Sequence, residues 1–358
     1  MNKCGISNFL SERFAAMSFL CACMIVFFHA TPASEIGSFT WWFFHLFGRE
    51  GICCIAVPYF FACSGYFLAR HYGEEGWWGR EVLKRVKSLI VPYYIWMAIG
   101  IAFGILVGYA KRQYFNVEMP DGFLSLPHWE KVMLYLGLHP FQDIGVLWYV
   151  RTLFLMVLVS PLIFYCLRRP LLTLGVLFSL HLVLCYLFAI LDINMYYLLD
   201  RFLSERGLFY FCLGAALCVG SHGKDLKLPL HTGILCLIMG MMLLVIKNLL
   251  KLSSLAIWAG VVEAVSVLFL IAGVWATFII PRWVRGFYKY SFPIFLMHNI
   301  FLSLVSMVFM CVGLRNMESM QIPIALIRAA CSIIGSIVVA MAMRRVCLGV
   351  ANVSFGGR

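Results

Sequence analysis

About ten separate stretches of roughly 20 mostly apolar residues run through the chain, at 14–33, 51–69, 88–108, 146–166, 171–191, 207–221, 231–250, 256–280, 292–313 and 324–343. Each is close to the length that an α-helix needs to cross the hydrocarbon of a bilayer, the sixth being the shortest. Backbone in lipid must satisfy its own hydrogen bonds, so such stretches fold as helices. The expected fold class is therefore all-α, a polytopic integral membrane helix bundle of about ten transmembrane helices. Composition agrees: 63% of the 358 residues are hydrophobic and 12% charged, at a mean hydropathy of +0.92, which is too apolar for a surface facing water. The polar start "MNKCGISNFLSERFAAM" lacks a small-residue cleavage site. The first apolar run thus reads as a retained span and not as a removed signal peptide.

The net charge of +12 does not point to nucleic acid, because the basic residues are spread over short loops between the spans. Topology explains them: with a cytoplasmic N-terminus, alternate loops collect most of them, including Arg70, Lys84, Arg85, Lys87, Arg168, Arg169, Lys289, Arg344 and Arg345. Ten spans then put both termini in the cytoplasm. The even spacing predicts one transmembrane domain over 1–350 and a short cytoplasmic tail at 351–358. The longest stretch outside the spans, 109–145, holds "MPDGFLSLPHW" and reads as an ordered outer loop with a short helix at the interface. An internal repeat of the kind carried by secondary transporters is not visible, which counts against transport. Most of the 14 cysteines lie inside apolar runs as small hydrophobes. No metal is expected, since no His, Cys or carboxylate cluster has ligand spacing.

Ionisable groups at membrane depth are expensive, so each is a candidate for function. Here they are His29, Arg151, His181, Glu263, His298 and Arg328. Plainer readings stand beside the functional ones. His29 at the end of "CMIVFFHA" can mark the outer interface, His298 in "FPIFLMHNIF" can be structural in a similar way, and His181 can bond a neighbouring helix. Glu263 and Arg328 can form a buried ion pair. Arg151 needs a partner, with Asp143, Glu263 or a substrate group as candidates, while Trp148 and Tyr149 suit either an aromatic belt or a stack on a sugar ring.

Six short signatures recur in a fixed order: "MIVFFHATP", "VPYFFACSGYFLAR", "KRVKSLIVPYYIW", "LWYVRTLFLMVLVSPLI", "FYFCLGAAL" and "YSFPIFLMHNIF". The succession resembles the membrane-bound acyltransferase-3 family, which includes polysaccharide O-acetylases, and covers nearly the whole chain. The resemblance implies transfer of an acyl group, usually acetyl, from cytoplasmic acetyl-CoA (acyl-CoA) as co-substrate to a hydroxyl of an envelope glycan or lipid-linked sugar at the bacterial inner membrane. No permanently bound cofactor is implied. The family's first-span histidine falls on His29, which can serve as general base because imidazole accepts a proton near neutral pH. The family's basic cluster before the third span falls on Arg85, with Lys84 and Lys87, as the donor phosphate site. The pattern departs twice: Ser18 stands where a basic residue usually lies eleven positions before the histidine, and Ser88 where a second arginine usually follows Arg85. Arg13 is the candidate substitute for the first. Arg151, Trp148, Tyr149, Ser64, Glu263 and His298 form the expected acceptor pocket. Ser64 and Gly65 are expected to let helices approach closely, with Tyr66 at the rim, and Ser64 lacks both a base and the glycine pattern of a nucleophile. The competing readings are a transporter or flippase for a glycan or organic anion, with His29 relaying protons, and a non-catalytic relative that assists export. The oligomeric state is not legible in the sequence.

Overall fold

A computed structural model describes residues 8–32, 34–115, 123–136, 146–191, 204–221, 227–313 and 320–357, and every regular element among them is helical. In chain order the helices are α1 (Asn8–Ala30), α2 (Phe39–Phe47), α3 (Ala56–Ala69), α4 (Trp77–Arg85), α5 (Val91–Phe115), α6 (His128–Tyr135), α7 (Trp148–Leu158), α8 (Ser160–Cys166), α9 (Pro170–Leu191), α10 (Glu205–Ser221), α11 (Leu230–Lys251), α12 (Ala259–Thr277), α13 (Ser291–Cys311), α14 (Gln321–Val346) and α15 (Leu348–Ser354). Of the ten expected spans, eight correspond to helical stretches that are long and apolar enough to cross a membrane among the described residues, or nine if the pair α7–α8 counts as one. The remaining expected span is α10, which has only 17 residues. The protein is a multi-pass membrane protein.

Helix α1 is central, packed against α3, α13 and α14. Its C-terminal carbonyl at Ala30 accepts a hydrogen bond from the Arg328 guanidinium of α14 at 3.1 Å, so a cation caps the negative end of the helix dipole. Arg328 is thereby committed to α1 and not to Glu263, the ion-pair partner suggested by the sequence.

Helices α3 and α10 run parallel and almost touch at their backbones. A Cβ on Gly65 would lie 2.0 Å from the Phe211 carbonyl oxygen, and one on Gly214 would lie 1.8 Å from that of Ala62. Only glycine permits that approach, as the pair Ser64–Gly65 foretold. Tyr66, expected at a rim, is instead fully buried against Phe14, with ring centroids 5.0 Å apart.

The chain bends by 65° between α7 and α8. Pro161 is the cause, since it has no N–H to offer the carbonyl four residues before it. That carbonyl, of Val157, accepts from the Ser160 hydroxyl at 2.7 Å, and the neighbouring Leu158 carbonyl accepts from Trp78 Nε1 at 3.1 Å. Between α4 and α5 the chain makes a π-helical turn at Val86–Ile90, where the N–H of Val91 reaches back to Val86. The insertion falls immediately after Arg85, and such turns often sit at functional sites.

Both ends of the described chain meet the same segment, Arg282–Tyr290. Glu12 near the start of α1 pairs with Arg285, and Arg344 at the end of α14 donates to the Lys289 carbonyl at 3.3 Å. Residues 348–355, which straddle the start of the expected tail, pack back on α5. Trp96 Nε1 donates to the Ser354 carbonyl at 2.9 Å, and Phe355 is fully buried and stacked on Trp96. In the stretch 109–145, α6 is the short helix expected there.

Candidate active site

Two cavities lie one above the other along α1. The upper, of about 400 Å³, is lined by Phe28 and His29 at the end of α1, by Arg49, Glu50 and Cys54, by Trp148 and Tyr149 of α7, by Arg206 and Tyr210 of α10, and by Lys251 and Glu263. The lower, of about 450 Å³, is lined by Ser18, Ser64, Arg70, His71, Lys84, Arg85, Tyr288 and Lys289 among others. Tyr149 and Phe295 line both, their ring centroids 5.6 Å apart. Phe60 adds a third ring to this partition, 5.9 Å from Tyr149. Ser64 lies at the lower cavity's side of it, its hydroxyl 3.5 Å from that of Tyr149.

His29 is accessible, and its surface opens on the upper cavity. The ring makes no hydrogen bond among the described residues; its neighbours are Phe28 at 5.0 Å and the ring of His298 at 5.2 Å. His298 is the eighth residue of α13, a helix of 21 residues, so His29 lies well inside the bundle. Its imidazole thus faces a hollow at depth, where both ring nitrogens can reach a bound molecule.

His298 is fully buried. Its Nδ1 lies 2.7 Å from the Phe295 carbonyl and 3.2 Å from that of Ile294. A carbonyl only accepts, so Nδ1 carries the proton of the neutral ring and Nε2 is a bare acceptor. That Nε2 is buried without a hydrogen-bond partner among the described residues.

Behind the lining of the lower cavity, Glu81, 5% exposed, gathers three groups. Lys84 lies at 3.5 Å, Arg85 NH2 at 3.6 Å and His71 Nε2 at 3.9 Å. The carboxylate holds Arg85 from one side, while Arg85 Nε is buried with no hydrogen-bond partner among the described residues. A guanidinium so placed keeps a donor for an incoming acceptor such as phosphate. Ser18 opens on this same cavity, so the family's usual cation at that position would point into it.

Not every candidate converges. Arg13 lies over the Trp275 and Phe9 rings, at 5.1 and 6.0 Å, and lines neither cavity. Lys87 is exposed and likewise lines neither. Arg151 lies beside the cavities without lining them, and Asp143 lies outside the described residues. Ser88 sits under the turned C-terminus, where a Cβ on Gly356 would come 2.3 Å from the Ser88 carbonyl oxygen. His181 faces Glu205, 3.4 Å from its carboxylate.

A family model described as an acyltransferase domain matches residues 16–344. The chain belongs to the acyltransferase-3 family. Neither a curated protein nor a solved structure matches it. As an acyltransferase-3 protein it is a membrane acyltransferase, and the matched range takes in His29 and every residue lining either cavity except Ala15. Five arginine and lysine residues lining the cavities of this acyltransferase-3 chain escaped the sequence reading of the site: Arg70 and Lys289 below, and Arg49, Lys251 and Arg206 above. Arg70 and Lys289 were already accounted for by topology. Arg49, Arg206 and Lys251 fall in or near short connections, where a basic residue carries no signal of its own.

Proposed function

We propose that the protein is an O-acyltransferase. It takes an acyl group, acetyl in the simplest case, from acyl-CoA bound in the lower cavity and transfers it to a hydroxyl of an envelope glycan or lipid-linked sugar bound in the upper one. In this reading the lower end faces the cytoplasm of a bacterial cell, both termini lie on that side, and the protein sits in the inner membrane. The observation that carries the reading is the shared wall. His29 lines the upper cavity, Lys84 and Arg85 line the lower, and among the described residues Tyr149 and Phe295 line both.

Arg85, with Lys84 and the newly placed Arg70 and Lys289, provides positive charge where the phosphates of coenzyme A arrive. The thioester, on its long arm, reaches the partition near Ser64. From above, a sugar hydroxyl is held beside His29, with Trp148 and Tyr149 as stacking surfaces. A hydroxyl attacks poorly while it keeps its proton, and a neutral imidazole within hydrogen-bond reach removes that proton as the carbon–oxygen bond forms. The tetrahedral intermediate collapses with cleavage of the carbon–sulfur bond. The thiolate leaves downward, and the proton passes from His29 to it or to water. The neighbouring His298 ring, its centroid 5.2 Å from that of His29, keeps a bare Nε2 that can favour the transient imidazolium.

The test uses membranes containing the protein and acetyl-CoA labelled in the acetyl group. Wild type transfers label to glycan, and His29→Ala lowers transfer by about 100-fold or more, with protein abundance and thermal stability unchanged. A wild-type protein that leaves the glycan unlabelled, yet supports uptake or efflux of a glycan or organic anion that His29→Ala abolishes, is a transporter.

A further inference from the structure

The upper cavity is more positive than a site for a neutral sugar requires. Around it, among the described residues, stand four cations, Arg49, Arg206, Lys247 and Lys251, and two carboxylates, Glu50 and Glu263. Lys251 pairs with the Glu50 carboxylate. Glu263 is shared between Lys247 at 3.4 Å and Arg206 at 3.7 Å. Lys247 is fully buried, and its ammonium is further held by the Glu50 carbonyl. The next carboxylate along the chain, Glu205, is turned to His181. His45 lies 3.6 Å from Glu50 and adds no negative charge.

Arg49 is left over. No carboxylate lies within ion-pair distance of it among the described residues; its guanidinium sits 5.5 Å from the Phe28 ring, on the residue next to His29, and its side chain is exposed to the cavity. Charge held inside an apolar bundle is stable when it is compensated. Ion pairs alone would account for a fixing role between α10, α11 and α12, but they do not account for an unpaired guanidinium beside the proposed base. A bound anion would supply the missing charge and, by bidentate contact, would orient the molecule that carries it.

We infer that the acceptor is anionic: the glycan that presents its hydroxyl to His29 carries a carboxylate or a phosphate, which Arg49 binds, with Arg206 and Lys251 providing the surrounding positive field. This rests on the acyl-transfer reading and narrows its acceptor. The same chemistry has two sources, an acidic sugar within the glycan or the diphosphate of a lipid-linked sugar.

The experiment incubates membranes containing the full chain with labelled acetyl-CoA and passes the labelled product over an anion exchanger. The inference expects retention. Mild acid, which cleaves a diphosphate-linked lipid, abolishes retention if the phosphate is the source; chemical reduction of carboxyl groups abolishes it if an acidic sugar is. A labelled but unretained, neutral product overturns the inference while leaving acyl transfer intact. Absence of any labelled product overturns acyl transfer and the anionic acceptor with it. In the same membranes Arg49→Gln raises the acceptor KM about tenfold while the donor KM and kcat stay within about twofold, and Arg49→Lys, which keeps the charge but not the bidentate fork, recovers only part of the loss. Equal acceptor KM values for wild type and Arg49→Gln would also overturn the inference.

Discussion

At the residue scale the two imidazoles have unequal parts. His29 opens on a cavity and lacks hydrogen bonds among the described residues, whereas His298 is locked by the Phe295 carbonyl and turns a bare nitrogen into a buried space. If His298 supports the charge that His29 acquires, its loss is felt in the chemical step. His298→Phe therefore lowers kcat for acetyl transfer about tenfold with both KM values within about twofold, and His298→Gln, which keeps an acceptor, restores part of it. A purely packing role predicts the reverse order, with Phe the better replacement. Arg85 belongs to the other substrate. Arg85→Gln raises the donor KM about tenfold and leaves the acceptor KM unchanged, because the lost guanidinium faces only the lower cavity. A rise in acceptor KM alone would remove Arg85 from the donor site. His29 and Arg85 could be found in the sequence because one is scarce at membrane depth and the other lies in an ordered motif. Arg49 could not, since a lone arginine between apolar stretches looks like any loop charge until the fold turns it toward His29.

Elements contribute by bringing backbones close and by breaking where function needs it. The near contact of α3 with α10 carries Ser64 and Tyr210 to the walls of the two cavities and depends on Gly65 and Gly214. Gly65→Ala places a methyl 2.0 Å from a backbone oxygen that has no free end to move. It should destabilise the protein by roughly 1–3 kcal/mol, seen as a lower melting temperature in detergent. Gly220→Ala on α10 has nothing within 4 Å and serves as the control, with an unchanged or slightly raised melting temperature. An equal drop for both would mean that the close approach is not what Gly65 provides. In the sequence, Ser64–Gly65 indicated close packing but not the partner, because small residues mark a face without naming what lies against it. The 65° break at Pro161 was hidden for a different reason: hydropathy over 146–166 is continuous, and only the fate of the Val157 carbonyl reveals the bend.

For the whole molecule, the decisive fact is that both ends of the described chain reach the segment Arg282–Tyr290, through Glu12 and Arg344. A chain whose two ends leave the bundle on one side crosses it an even number of times. The bent pair α7–α8 runs from Trp148 at the upper cavity to Phe164, which stacks on Tyr72 in the lower connection between α3 and α4, and so completes one crossing. With the eight long spans that makes nine, and parity requires one more. Helix α10 supplies it: it starts at the upper cavity with Arg206 and runs parallel to α3. Its 17 residues extend about 25 Å, enough where packed neighbours or a locally thinned bilayer make up the difference. Fluorescent-protein fusions that mature only in the cytoplasm test this directly. Fusions at the N-terminus and after Arg358 both fluoresce if α10 crosses and the lower end faces inward, and a fusion in the connection after α10, within 222–226, fluoresces as well. A dark fusion within 222–226 beside bright termini would take α10 out of the membrane and leave Arg206 without the wall that holds it at the upper cavity.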